Sequence, residues 1–354
     1  MTETIEWIPI CTRFADWPEI DRTLWAEGCT AETPFDDGGH GATLRPDSLK
    51  KIRKGYGAWL SFLAALGELD PDQSPAERVT RARASAYFQA LRGLGRSGHT
   101  VLGRFGELRM AMKIMAPDAD TAWLLRPSGV SLRSIIRPYS RTVVVPDSEV
   151  AFRWGLDLME KARAAPPTTR HHSRYRDGLM IALFAARARR LRSMALIRVG
   201  KELRFRDARF YVELTADQVK TDKPDRFSIP RSLTEAMRHY LDVVRPSLLG
   251  DADEDALWIS AIGTRLSESA IQTMLVRRSR RRFGVAFSAH RFRHMAATTL
   301  PLRRPDRPGL GAAVLGVTKQ VVEQHYNRAG QVIAAMDYDD IINRFTNDLR
   351  KLRK

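Results

Sequence analysis

Two short basic boxes and one tyrosine carry the chemistry available to this 354-residue chain. The first box, Arg189-Arg190-Leu191-Arg192-Ser193-Met194-Ala195-Leu196, follows an apolar stretch, Ile181-Ala182-Leu183-Phe184. The second is His290-Arg291-Phe292-Arg293-His294, and Gln324-His325-Tyr326-Asn327-Arg328 lies downstream. A guanidinium is a planar fork that grips a pair of phosphate oxygens. A tyrosine oxygen becomes a nucleophile only after losing a proton whose ordinary pKa is about 10. Taken singly these residues say little, because an arginine in a basic protein usually sits on the surface and a tyrosine usually packs. Their order along the chain is what narrows the reading.

That order resembles the tyrosine recombinases of the phage integrase family. His290, Arg293 and His294 are similar to the family's His-x-x-Arg-His box, with a small and apolar lead from Val285 to Ala289. Arg190 matches the first arginine, at the start of a helix that follows a buried one. Leu315-Gly316 resembles the Leu-Gly-His step, and Tyr326 follows at the family's spacing. Lys220, within Val219-Lys220-Thr221-Asp222-Lys223, falls between the second and third strands, where the family places a lysine.

The resemblance implies a reaction. The oxygen of Tyr326 attacks a DNA phosphodiester, leaving a 3′-phosphotyrosine bond and a free 5′-hydroxyl, and a second 5′-hydroxyl reverses the step. The bond energy stays in the covalent intermediate, so no ATP is required, and the resemblance implies no metal or other cofactor. Arg190 and Arg293 hold the charge that develops on the phosphate. His290 assists as a base or as an oxygen ligand, and Lys220 protonates the leaving 5′ oxygen. The implied partners are double-stranded DNA and a homotetramer on two DNA sites. A transposase shares this chemistry, and a degenerate member would bind DNA without cutting it. A type IB topoisomerase shares it too, but the small helical N-terminal region argues against that.

Two positions depart from the pattern. Val317 stands where the family often has histidine or tryptophan, and valine donates no hydrogen bond. Arg187-Ala188-Arg189 stands where a small turn, often with glycine, precedes the first arginine.

The bulk of the chain agrees with a DNA partner. Its formal charge is +17, which attracts polyanions at long range. At 44% hydrophobic and 28% charged residues it should fold, and its length suits about two domains. Two cysteines, Cys11 and Cys29, do not make a secreted disulfide scaffold. The opening Met1-Thr2-Glu3-Thr4-Ile5-Glu6 is unlike a signal peptide, and the longest apolar run, Gly178 to Ala186, is too short to span a membrane. A cytoplasmic, nucleoid-associated protein is expected.

The elements that must position these residues are also readable. Residues 1–43 form an extension of unknown role containing Trp7, Trp17 and Trp25. Residues 44–126 read as a helical DNA-binding domain, with Leu49, Ile52, Tyr56, Trp59, Leu60 and Leu63 at helical spacing. Residues 127–146 read as a basic linker and 147–340 as the catalytic domain. Alternation in Leu203 and Phe205, then in Phe210, Val212 and Leu214, predicts a hairpin turning at Arg206-Asp207-Ala208. A third strand is placed at Phe227-Ser228-Ile229-Pro230. The fold class is thus mainly α with a small antiparallel sheet, and the resemblance makes it the DNA breaking-rejoining fold. Residues 341–354 form a tail expected to dock on a neighbouring protomer. Asp251, Asp253 and Asp255 fail as a calcium loop, with Ala256 where glycine is needed and Ile262 where glutamate is needed. His171-His172 lacks further ligands at metal spacing. The run Arg277-Arg278-Ser279-Arg280-Arg281-Arg282 suits a phosphate backbone.

Overall fold

The computed structural model describes residues 11–31, 39–138, 146–219, 223–303, 307 and 314–315. The chain divides into two compact units, Met1–Thr142 and Val143–Lys354.

The described part of the first unit is helical: α1 (Glu19–Gly28), α2 (Pro46–Ala65), α3 (Pro75–Arg78), α4 (Arg81–Gly93), α5 (Gly98–Met115) and α6 (Leu132–Ile136). Proline in the first turn opens α2, where the missing N–H costs nothing. The Ser74 hydroxyl accepts from the Glu77 amide while the Glu77 carboxylate accepts from the Ser74 amide, a reciprocal cap on α3. Thr80 and Ser97 cap α4 and α5 in the same position. The stripe Ile52, Tyr56, Trp59, Leu60 and Leu63 is buried, whereas Lys50, Lys51 and Lys54 face solvent.

Two observations go beyond the boundaries expected from sequence. Trp17 and Trp25 are buried in this first core, with Trp17 edge-on to Trp25 at 5.6 Å and to Tyr56 at 4.9 Å. Residues 11–31 are therefore part of the unit's packing rather than an appendage. The expected linker 127–146 contains α6, whose Leu132 is buried against the same core. A five-residue helix is too short for periodicity to reveal it, and tertiary burial rather than propensity holds it.

An ion pair lies at the centre of this unit. Both side chains of Asp21 and Arg78 are fully buried, with Arg78 Nη1 2.6 Å and Nη2 2.7 Å from the two carboxylate oxygens. The Tyr56 hydroxyl donates to the same carboxylate at 2.9 Å, and Arg78 also donates to the Gln73 carbonyl. One carboxylate thus joins α1, α2 and α3.

In the second unit α7 (Ser148–Arg163) and α8 (Thr169–Arg187) cross in backbone contact. A methyl group on Gly155 would sit 2.6 Å from the Ala182 nitrogen and 2.7 Å from the Gly178 oxygen, so glycine is required there. From Tyr175 to Ala185 every residue of α8 is buried, including Arg176 and Asp177. After α9 (Leu191–Ala195) come β1 (Leu203–Arg206), β2 (Arg209–Leu214) and β3 (Asp225–Ser228), an antiparallel sheet in that order. Its first turn holds Asp207 and Ala208 at φ of 50° and 56°, the geometry that matches the twist of a two-residue hairpin. Phe210, Val212 and Leu214 face the core.

The helices α10 (Thr234–His239) and α11 (Arg245–Leu249), α12 (Glu268–Phe283) and α13 (Ala289–Arg303) follow. Ser267 caps the start of α12, and Gly284, at φ 73°, ends it. Within the arginine run, Arg278 donates twice to Asp177 at 2.9 and 2.7 Å. That carboxylate also binds Arg176, so α12 is fastened to α8. Arg277, Arg280, Arg281 and Arg282 remain exposed. The architecture is mainly α with a small antiparallel sheet, and among the described residues no helix is long and apolar enough to cross a membrane.

Asp21→Ala leaves Arg78 buried without a counter-charge, a change that costs about 3–5 kcal/mol in comparable pairs. Urea unfolding followed by tryptophan fluorescence should show a loss of that size in the first unit, whereas a loss under about 1 kcal/mol would contradict the central role of the pair.

Candidate functional site

The end of α8 sets the site. Ala188 adopts the left-handed conformation (φ 47°, ψ 34°) and is fully buried. A non-glycine residue pays about 1–2 kcal/mol for that geometry, so its surroundings must hold it. Arg293 does so: Nη1 donates to the Ala188 carbonyl at 2.7 Å, and Nη2 donates to the Leu315 carbonyl at 2.6 Å. The turn reverses the chain and places Arg190 at the cap position of α9, so the first arginine begins a helix after a buried one.

The first turn of α13 carries the other groups. His290 and His294 are one turn apart, their rings perpendicular with centroids at 4.7 Å. Phe292, between His290 and Arg293 on the opposite side of the helix, is fully buried against Phe184 of α8. The core therefore fixes the rotation of α13 and aims Arg293 at the α8 turn.

The electrostatic coupling of these side chains agrees with their lying near one another. Arg293 is held down to about 10 by burial, then by the charges of Arg190 and Arg189, with Asp225 acting in the opposite sense. It stays protonated at neutral pH. His290 is an exposed residue whose pKa is nonetheless lowered, first by partial burial of the ring and then by Arg293, Arg291 and Arg190. It is neutral at pH 7 and able to accept a proton. The structure thus brings together Arg190, His290 and Arg293.

Lys220 and Tyr326 lie outside the described residues, as do Gly316, Val317 and His325. The chain on either side of Lys220 is described. Before it, Gln218 donates to Glu202 at 2.9 Å, and Arg198 binds the same carboxylate. Burial raises the Glu202 pKa, but these hydrogen bonds outweigh it and hold the group at about 2. After it, Asp225 opens β3 and makes a 3.2 Å ion pair with Arg189.

Sequence reasoning missed Arg189 and Asp225. The side chain of Arg189 is 11% exposed, lies 4.9 Å over the Phe227 ring and donates to the Val314 carbonyl at 3.3 Å. The available signal was the departure from a glycine-type turn at Arg187-Ala188-Arg189. Among the described residues no group of three or more histidine, cysteine or acidic side chains could hold a metal ion.

Comparison with known proteins gives a consistent result. Residues 157–306 match the phage integrase family. The fold is similar to that of a XerH site-specific recombinase solved bound to a difH substrate as a pre-cleavage complex. That likeness has a TM-score of 0.54 at 13% identity, covering 93% of this chain and 98% of the other. A post-cleavage complex of XerH with a palindromic difH substrate gives a TM-score of 0.52 at 14% identity, covering 94% and 98%. Comparison with curated proteins gives no match. The matched residues 157–306 hold Arg190, His290 and Arg293, so the likeness to the phage integrase family includes these three positions.

Proposed function

We propose that this protein is a site-specific DNA recombinase that cuts and rejoins DNA through a 3′-phosphotyrosine intermediate. The observation that carries the reading is the meeting of Arg190, Arg293 and a neutral His290 at the junction of α8 and α13. Two guanidiniums there oppose the charge that builds on a pentacoordinate phosphate. The Tyr326 oxygen forms the new P–O bond, and its proton passes to His290 or to solvent. The 5′ oxygen leaves with the electrons of the broken bond, and Lys220 protonates it. A 5′-hydroxyl from the partner strand then attacks the phosphotyrosine, frees Tyr326 and reseals the backbone. Phosphate bonds broken and formed are equal in number, so no ATP enters, and in this reading the arginines and Lys220 carry the charge without a metal.

The basic charge and the exposed arginines of α12 suit a duplex backbone, and the similar XerH folds were solved on DNA substrates. In this reading residues 44–126 form a DNA-binding domain, residues 147–340 carry the reaction, and residues 341–354 dock on a neighbouring protomer of a homotetramer holding two sites. The protein works in the cytoplasm on nucleoid DNA. A transposase would use the same steps on different DNA ends.

Tyr326→Phe should bind duplex DNA as the wild type does and form no covalent adduct with a nicked suicide substrate made from the DNA flanking the gene. The readout is a denaturing gel, and an adduct that persists in the variant removes Tyr326 from the role. A wild type that binds and never forms adduct would instead mark a member that only binds DNA.

Cleavage should proceed at an unchanged rate in excess EDTA. Loss of activity restored by magnesium would place the chemistry in another class.

The lowered pKa of His290 sets the sign of the pH dependence. Its neutral form persists below the ordinary histidine value of about 6.5, so if it takes the tyrosine proton, single-turnover cleavage stays level down through that value and falls only at lower pH. A decline centred at or above about 6.5 would argue against His290 as the base.

A further inference from the structure

The proposed reaction uses Arg190 and Arg293 but leaves Arg189, the guanidinium between Arg190 and Ala188, unexplained. Its side chain is almost as buried as a core residue. Burying a cation beside two others is costly unless a counter-charge is present. Asp225 is that counter-charge. It pairs with Arg189 at 3.2 Å, and its field opposes the effect of the other cations on both Arg189 and Arg293.

The geometry gives Arg189 a second task. Arg189 donates to the Val314 carbonyl and Arg293 donates to the next one, Leu315. At the other end, Arg293 holds the Ala188 carbonyl, one residue before Arg189. Two neighbouring guanidiniums therefore stitch the same two backbone segments, 188–189 and 314–315. Phe227, also on β3, has its ring centroid 4.9 Å from the Arg189 guanidinium carbon. Arg187 extends the clamp, donating to the Ser228 carbonyl at 2.6 Å. The turn that presents Arg190 is thus pinned to β3 on one side and to the 314–315 segment on the other.

Resting on the recombinase reading, we propose that Arg189 and Asp225 are a positioning pair for DNA cleavage, fixing the Arg187–Arg190 turn so that Arg190 and Arg293 meet one phosphate together. Asp225 supplies resident negative charge to the arginine cluster, and the DNA phosphate adds to it on binding. Because that carboxylate repels a phosphate, its removal does not weaken DNA binding. It lets the turn and the cluster move, so it slows the cutting step. A displacement of about 1 Å in such a site costs about a hundredfold in rate.

The test uses the full chain and the nicked duplex made from the DNA flanking the gene, with single-turnover adduct formation and equilibrium binding measured on the same samples. Asp225→Asn, which keeps the side-chain shape, should cut at least about tenfold more slowly while binding DNA as tightly as wild type or more tightly. Asp225→Glu, which restores a carboxylate, should recover most of the rate. Arg189→Leu should slow cutting to a similar degree. Wild-type cutting rates in folded Asp225→Asn would overturn the proposal. So would parallel losses of binding, cutting and melting temperature, which mark a purely structural ion pair. A wild type that forms no adduct overturns the recombinase reading, and this role with it, before any variant is compared.

Discussion

One side chain closes the second unit's site. Arg293 donates one Nη group to the Ala188 carbonyl and the other to the Leu315 carbonyl. Hydrogen bonds from a charged donor are worth about twice a neutral one, and here they satisfy carbonyls at a turn that ordinary helix bonding has abandoned. The left-handed Ala188 is tolerable because this grip is available. Arg190 is aimed because Ala188 turns the chain, and His290 is aimed because α13 must present Arg293. The same cation that is assigned to the phosphate also holds the place where the phosphate is to sit. Such double use explains why an arginine is needed there. A lysine has the charge but no fork to span two carbonyls.

The charge balance around this grip is lopsided. Arg189, Arg190 and Arg293 act on one another, and Asp225 is the carboxylate that acts against them. Elsewhere in the same unit one carboxylate, Asp177, receives both Arg176 and Arg278. A surplus of positive charge beside a histidine of lowered pKa fits a site that takes an anion. The surplus also keeps His290 neutral, because a protonated ring would add another cation to the cluster.

Much of this was legible before the structure, and the reasons differ by element. The stripe in α2 and the alternation in β2 are long enough for burial to impose a period, whereas β1 buries Leu203 and leaves Phe205 exposed. Arg190, His290 and Arg293 were found because each lies within a short motif of fixed spacing. Arg189 and Asp225 were not, because residues thirty-odd positions apart become neighbours only when β3 folds beside the end of α8. The helical character of α1 was hidden for another reason. Its buried face consists of Asp21, Trp25 and Gly28, and an aspartate on an inward face breaks the apolar pattern on which periodicity depends. Its burial becomes comprehensible once Arg78 is seen to meet it.

That same aspartate bears on how the protein is made. Translation delivers α1 before α3, and burying Asp21 in an apolar interior is costly until its cation, 57 residues later, has left the ribosome. Tyr56 emerges in the interval and offers only a neutral hydrogen bond. The full docking of α1 thus waits on α3, which brings Arg78. A chain cut short before Arg78 would have Tyr56 to pack on Trp17 but no cation to meet the buried Asp21.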